Sequence, residues 1–198
     1  IPTVVPQLRT ITLGGAVTGL GIESTSLRLG LPHEAVLEMD VLCGDGTLIT
    51  ATPTNEHARF FYAFPNSYGS LGYGVRFQIS LESAQAFVEL RHHHVRSALE
   101  AAAVIHEVAR TGEYQAQRVD AIDGTVFSPR EMYLTLAEFT NEEGPVSDYT
   151  RQRIYYKSIK ILEKDRLKLS DYIWRWDTDW FWCSRAFGAQ NRVVRRLW

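Results

Sequence analysis

The chain has 198 residues, which is one large domain or two small ones and enough to bury a core. Hydrophobic residues make up 45% of it and charged residues 22%, an ordinary globular composition. With 21 basic side chains against 23 acidic ones, the net charge of −2 excludes the basic excess that nucleic-acid binding needs. No apolar run reaches the roughly 18–20 residues of a membrane span. The two cysteines, Cys43 and Cys183, sit in no metal or redox spacing, so a reducing, cytoplasmic setting is the expectation.

In chain order, Ile11-Thr12-Leu13 is a short β-prone run ending at Gly14-Gly15. Val36–Leu42 alternates and breaks at Gly44-Asp45-Gly46, a hairpin turn signal, and Thr47–Thr52 reads as the return strand. Glu56–Phe61 reads as a short helix. Val75–Leu81 has period-2 alternation and reads as a strand with one buried face. Ala86–Arg91 is a further strand. Val95–Arg110 is the strongest helical pattern, with Ala98, Ala101, Ala102, Ile105 and Val108 as its apolar stripe and Gly112 as its stop. Tyr114–Ile122 and Met132–Phe139 read as strands separated by Asp123-Gly124, and Asn141–Ser147 as a polar loop. A composition change near residues 83–86 divides the chain into 1–85, rich in strands and turns, and 86–198.

The segment Thr12–Ser26 holds four glycines in eight residues between hydroxyl-bearing side chains. Glycine lets a ligand approach the backbone, and successive exposed N–H groups can form an anion-binding concavity. The pattern matches neither the dinucleotide fingerprint nor a Walker loop. On pattern alone, a plain glycine-rich turn and a ligand loop both remain open.

Several motifs together resemble the FAD-linked oxidoreductases related to vanillyl-alcohol oxidase, which carry the PCMH-type FAD-binding domain. They run from Thr12-Leu13-Gly14-Gly15 through Gly19, Gly21-Ile22-Glu23-Ser24 and Ser26, then Arg28, Gly30, Val36–Leu42, Gly44-Asp45-Gly46 and Phe60-Phe61-Tyr62-Ala63, to Gly69-Ser70-Leu71-Gly72-Tyr73-Gly74-Val75. The order and spacing are those of plant cytokinin dehydrogenases, and the glycine segment is more similar still to the sterol Δ24-reductase branch and its bacterial fatty-acyl relatives.

The resemblance implies an α+β chain. Residues 1–85 would be the C-terminal part of the FAD-binding domain, a mostly antiparallel sheet with flanking helices, and 86–198 part of an α+β substrate or cap domain. FAD would be contacted by Thr12, Leu13, Gly14, Gly15, Ala16, Thr18, Gly19, Gly21, Ile22, Ser24, Gly72 and Gly74, mainly through backbone. Position 74 usually holds a β-branched residue in cytokinin dehydrogenases, so only a backbone contact survives at Gly74. The implied activity is reduction of a carbon–carbon double bond in an apolar lipid, a methylene-branched fatty acyl chain or a sterol-like molecule, by flavin that NADPH has reduced. Oxidation of an alcohol, sugar or lactone on the same scaffold is the alternative, and a non-catalytic interaction module without cofactor is another. A first FAD subdomain precedes this region in the family, and this chain opens at Ile1. The expectation is therefore an internal fragment that, alone, binds FAD weakly or not at all and is inactive. A small-molecule or lipid substrate and a peripheral membrane contact are the expected partners; oligomeric state is not legible.

Four other features carry expectations. His92-His93-His94 on a strand cannot all face one metal, because alternate side chains point apart, so packing or surface roles are expected and no metal. His106 is expected packed or half-exposed beside the helix stripe. Glu23 and Arg28 are expected in structural ion pairs or near the flavin. Tyr155 and Tyr156 are candidate proton donors; Trp174, Trp176, Trp180, Phe181 and Trp182 are core, a lipid interface or a wall around an apolar substrate; and the basic end at 191–198 is a solvated tail.

Overall fold

The computed structural model describes residues 1–150, 153–179 and 183–197. Their contacts divide into two compact units, Ile1–Ser83 and Ala84–Trp198. Both are α+β with antiparallel sheets, in line with the expected class.

In the first unit, the β-prone run at Ile11–Leu13 gives way to a helix. Thr12 has an extended backbone, and its Oγ1 accepts the Gly15 N–H at 3.0 Å, capping α1 at Leu13–Thr18. Val17 is fully buried and Ala16 nearly so. Burial of that face outweighs the poor helix propensity of Gly14 and Gly15, which is why local reading failed. A single turn follows at Ser26–Leu29 (α2), then a 3-10 turn at Pro32–Ala35.

The alternation of Val36–Leu42 gives β1, which pairs antiparallel with β2, Leu48–Ala51, across the Asp45-Gly46 turn. Helix α3 spans Ala58–Ala63, two residues later than expected. Strand β3, Tyr73–Ile79, pairs with the other edge of β1, with a register shift between Asp40 and Val41. The sheet order is β2-β1-β3. Met39, Val41 and Ala51 face Val17, Phe61 and Phe64 to form the core, and Phe77 and Ile79 pack on its margin. As an edge strand, β3 carries half-buried rather than fully buried core residues.

In the second unit, β4 runs Phe87–Val95, through the three histidines rather than stopping before them. Ser97 caps α4, Ala98–Thr111, by accepting the Glu100 N–H at 3.1 Å, and Gly112 in the left-handed conformation ends it. The buried stripe is Val104 and Val108 with Ala101 beside them. Ala98, Ala102, Ile105 and His106 are exposed, contrary to the expected stripe and to a packed His106. A small hairpin, β5 at Glu113–Tyr114 and β6 at Gln117–Arg118, leads into β7, Ala121–Ser128, and β8, Glu131–Thr140. Asp123-Gly124 lies inside β7, and the turn falls at Pro129-Arg130 instead. A short helix α5, Tyr155–Ser158, precedes β9, Lys164–Lys168; α6, Leu169–Ile173, and α7, Arg192–Leu197, follow. The sheet order is β7-β8-β4-β9. One face, with Val95, Leu134 and Leu136, packs on α4. The opposite face carries a row of polar residues, Asp123, Thr135 and His92, on three adjacent strands.

Candidate functional site

The fold brings the two glycine-rich stretches of the first unit together. A methyl group placed on Gly14 would stand 3.5 Å from the carbonyl oxygen of Gly74 and 3.6 Å from the Phe77 ring. The Tyr68 N–H donates to the Thr18 carbonyl at 3.3 Å and ties the loop before β3 to the end of α1. Thr12 and Gly15 lie exposed at the start of α1, and Ile22 is 76% exposed just beyond its end.

The segment is not the open anion concavity that four glycines suggest. The amides of Ala16, Gly19 and Gly21 are bonded to the carbonyls of Thr12, Gly15 and Ala16, and that of Gly15 to the Thr12 hydroxyl. The Thr18 hydroxyl donates to the Gly14 carbonyl at 2.8 Å. Leu13 packs on the core, and Ala16 and Ser24 are buried. Gly72 is buried with φ +133°, and a methyl group there would lie 2.5 Å from the Leu42 carbonyl oxygen. A methyl group on Gly74 would overlap the Phe77 ring. The backbone therefore requires glycine at position 72, and a side chain at position 74 would have to displace the Phe77 ring. What stays open to a ligand is the Thr12–Gly15 edge, where a flat group can reach backbone without meeting a Cβ, and the apolar side chain of Ile22. Among the expected FAD contacts, Thr12, Gly15 and Ile22 are exposed, whereas Ala16, Ser24 and Gly72 are buried.

Elsewhere in the first unit, Arg28 pairs with Glu82 at 3.1 Å, and the Glu23 carboxylate accepts the Gln7 N–H at 3.2 Å. On the outer face of the sheet, Arg76 bridges Glu38 and Asp40, and this bonding holds the Asp40 carboxyl below its usual range.

The second unit holds a separate buried polar cluster that sequence reading did not assemble. His92 Nδ1 lies 2.9 Å from the Thr135 hydroxyl, and Arg175 donates to Asp123. Burial pushes His92 down, against the pull of Asp123 and Asp165, and Arg175 adds to the lowering. Tyr155 stands over His92, with ring centroids 6.3 Å apart, and is completely buried against Trp176 and Tyr149. Burial raises its hydroxyl above the ordinary tyrosine range, and Asp123 raises it further. Tyr156 hydrogen-bonds Gln190. Both candidate proton donors thus sit beneath other side chains rather than on a surface. The signal that marked this region in sequence was the aromatic run: Trp176 is core, while Trp180, Phe181 and Trp182 lie outside the described residues. His93 contacts Tyr114 and His94 contacts Tyr133, so each of the three histidines has its own partner. Among the described residues, no cluster of three His, Cys, Asp or Glu is arranged to hold a metal ion, and no helix is long and apolar enough to cross a membrane.

No family model matches the chain. It is 34% identical over 142 residues to the Delta(24)-sterol reductase of Homo sapiens, covering 72% of this chain and 26% of that protein. It is 30% identical over 142 residues to the Delta(24)-sterol reductase of Arabidopsis thaliana, covering 71% of this chain and 25% of the relative. A Delta(24)-sterol reductase homolog of Caenorhabditis elegans is 23% identical over 199 residues, covering 90% of this chain and 37% of the relative. The chain spans about a quarter of the length of the first two relatives. Over that quarter, a sequence with a capped glycine helix set against a glycine-bearing edge strand is similar to sterol reductases of animals and a plant.

Proposed function

We propose that this chain is part of an FAD-dependent oxidoreductase that reduces a carbon–carbon double bond in an apolar lipid. The observation that carries the reading is the 34% identity to a protein named Delta(24)-sterol reductase, running over 142 residues. The meeting of Gly14 with Gly74, which joins the two motif blocks of the resemblance into one edge, supports it. The name of the relatives favours a sterol side chain as substrate over a methylene-branched fatty acyl chain.

Held there and reduced by NADPH, FAD would supply hydride to one carbon of the double bond, with an acid supplying the proton to the other. The residues of this chain position it. The Thr12–Gly15 edge presents backbone without side-chain bulk, Thr12 fixes that edge by capping α1, and Ile22 offers an exposed apolar side chain beyond the other end of the helix. Gly72 and Gly74 hold β3 close beneath, so that the edge keeps its shape.

The test uses the full-length protein, purified and inspected for oxidised-flavin absorbance, then mixed anaerobically with NADPH and with either a Δ24 sterol or a methylene-branched fatty acyl ester. The expected result is bleaching by NADPH and recovery of the oxidised spectrum on adding the sterol, with a saturated product. A protein that carries flavin yet stays oxidised in excess NADPH rules the reductase reading out. A protein that purifies without flavin, and takes up none, rules out the cofactor as well.

A further inference from the structure

Among the described residues, His92 Nε2, Tyr155 OH, Asp123 Oδ1 and Arg175 Nε are buried polar atoms with no hydrogen-bond partner. Their side chains lie together in the second unit. His92, Thr135 and Asp123 sit in register on β4, β8 and β7. Arg175 reaches Asp123 from the turn after α6, with its Cζ 5.5 Å from the centre of the Tyr155 ring. That ring is 6.3 Å from the His92 ring. His92 is 6% exposed, Arg175 2% and Tyr155 0%. A buried polar group left unbonded is costly, so several in one place call for a shared partner.

The half-used fork of Arg175 marks where that partner belongs. In a planar guanidinium, Nε–H and Nη2 point to the same side. Nη2 donates to Asp123 Oδ2, while Nη1 donates to the Tyr172 carbonyl at 2.8 Å. Nε–H and Oδ1 therefore remain on the same side of the pair, one a donor and the other an acceptor. Tyr155 adds a second donor, because burial keeps its hydroxyl protonated. His92 is kept neutral by burial, so only one of its ring nitrogens carries a proton. With that proton on Nδ1, the ring donates to the Thr135 hydroxyl, 2.9 Å away, and Nε2 accepts. With the proton on Nε2 instead, the site would hold one donor too many. Two donors and two acceptors are the complement of a single water molecule.

We infer that one buried water takes the Arg175 Nε–H and the Tyr155 O–H and gives its hydrogens to Asp123 Oδ1 and His92 Nε2. The same water sets the His92 tautomer, with the proton on Nδ1. A direct second bond from Arg175 Nε to Asp123 Oδ1 would satisfy those two atoms but leave His92 and Tyr155 unpaired. The site lies wholly within the second unit and does not rest on the flavin reading.

The full-length protein tests this. A crystal structure that resolves ordered solvent should show density within hydrogen-bond distance of all four atoms. The nitrogen NMR spectrum of histidine-labelled protein should place the His92 proton on Nδ1, the rarer form in water; its signals are assigned by their loss in His92→Gln. Tyr155→Phe should lower the melting temperature, because it takes a donor away from the water. An unbonded hydroxyl would give the opposite, since deleting it relieves a cost. Density missing from that position, with Arg175 Nε bonded directly to Asp123, overturns the inference. So does a His92 proton on Nε2, or a Tyr155→Phe variant that melts at or above the parent. If Tyr155→Phe fails to fold, the density and the spectrum decide.

Discussion

Arg175 meets Asp123 in the interior of the second unit, its side chain 2% exposed, while its other terminal nitrogen is held by the Tyr172 carbonyl at 2.8 Å. The guanidinium also lies over the Tyr172 ring at 3.9 Å. A charge this deep is tolerated because its partner is equally fixed, on a strand rather than a loop.

Asp123→Asn should therefore be costly. It keeps the shape but leaves a buried cation without its counter-charge, at about 3–5 kcal/mol. Replacing both partners, Asp123→Leu with Arg175→Met, should cost less than the single change. Urea denaturation measures both, and a single variant within about 1 kcal/mol of the parent contradicts this account.

His92 gives the same cluster a pH dependence. Its folded value lies below the ordinary 6.5, chiefly through burial. Between those two values the unfolded chain binds a proton that the folded chain does not. Stability is thus complete above 6.5 and falls as pH drops below it. The groups facing His92 are Thr135, Asp123, Asp165, Arg175 and Tyr155. His92→Gln can still bond Thr135 but does not titrate, so its stability curve should be flatter between about pH 7 and pH 5. Parallel curves for parent and variant would show that other groups set the slope.

Gly72 and Gly112 both have positive φ, yet their replacements should differ. Around Gly112, φ +72°, a methyl group meets nothing within 4 Å, so Gly112→Ala carries backbone strain alone, about 1 kcal/mol. At Gly72 the methyl group also meets the Leu42 carbonyl, so Gly72→Ala must push β3 from β1 and should cost clearly more. Thermal melts of the two variants, ranked the other way round, would contradict the close approach.

Thr12 links structure to the proposed cofactor. Thr12→Ala removes the cap of α1, worth about 1 kcal/mol, whereas Thr12→Ser keeps it. In the full-length protein, FAD affinity should fall with alanine and return with serine, read by quenching of flavin fluorescence. Lower stability with unchanged FAD affinity would make Thr12 a cap and nothing more.

Features fixed by adjacent residues were legible in the sequence. The Asp45-Gly46 turn and its two strands follow from local turn chemistry, and Gly112 ends α4 for the same reason, whereas the start of α4 lies at Ala98 rather than at Val95, which belongs to β4. Features fixed by distant partners were not. Asp123-Gly124 looks like a turn by composition but is held in β7, with Asp123 bound to a residue 52 positions away and Gly124 opposite Leu134. The run of alanines in α4 blurs its buried face: of the expected stripe Ala98, Ala101, Ala102, Ile105 and Val108, only Ala101 and Val108 pack inward, and the buried Val104 is missing from it. In the candidate site, the clustering of the glycines is legible in the sequence, but that Gly72 and Gly74 stand against Leu42 and Phe77 depends on the β1–β3 pairing.

The position of β4 bears on how the second unit comes into being. It is flanked by β8 and β9, and the ion pair that joins it to β9, Glu89 with Arg166, spans 77 residues. While the chain is still being synthesised, β4 emerges early and waits for both neighbours. Until the residues of β9 follow, one side of β4 is a bare run of unpaired backbone, open to strands of other chains. Most of the contacts that close the sheet are of this long-range kind, so it should fold slowly, as a single step once β9 has emerged.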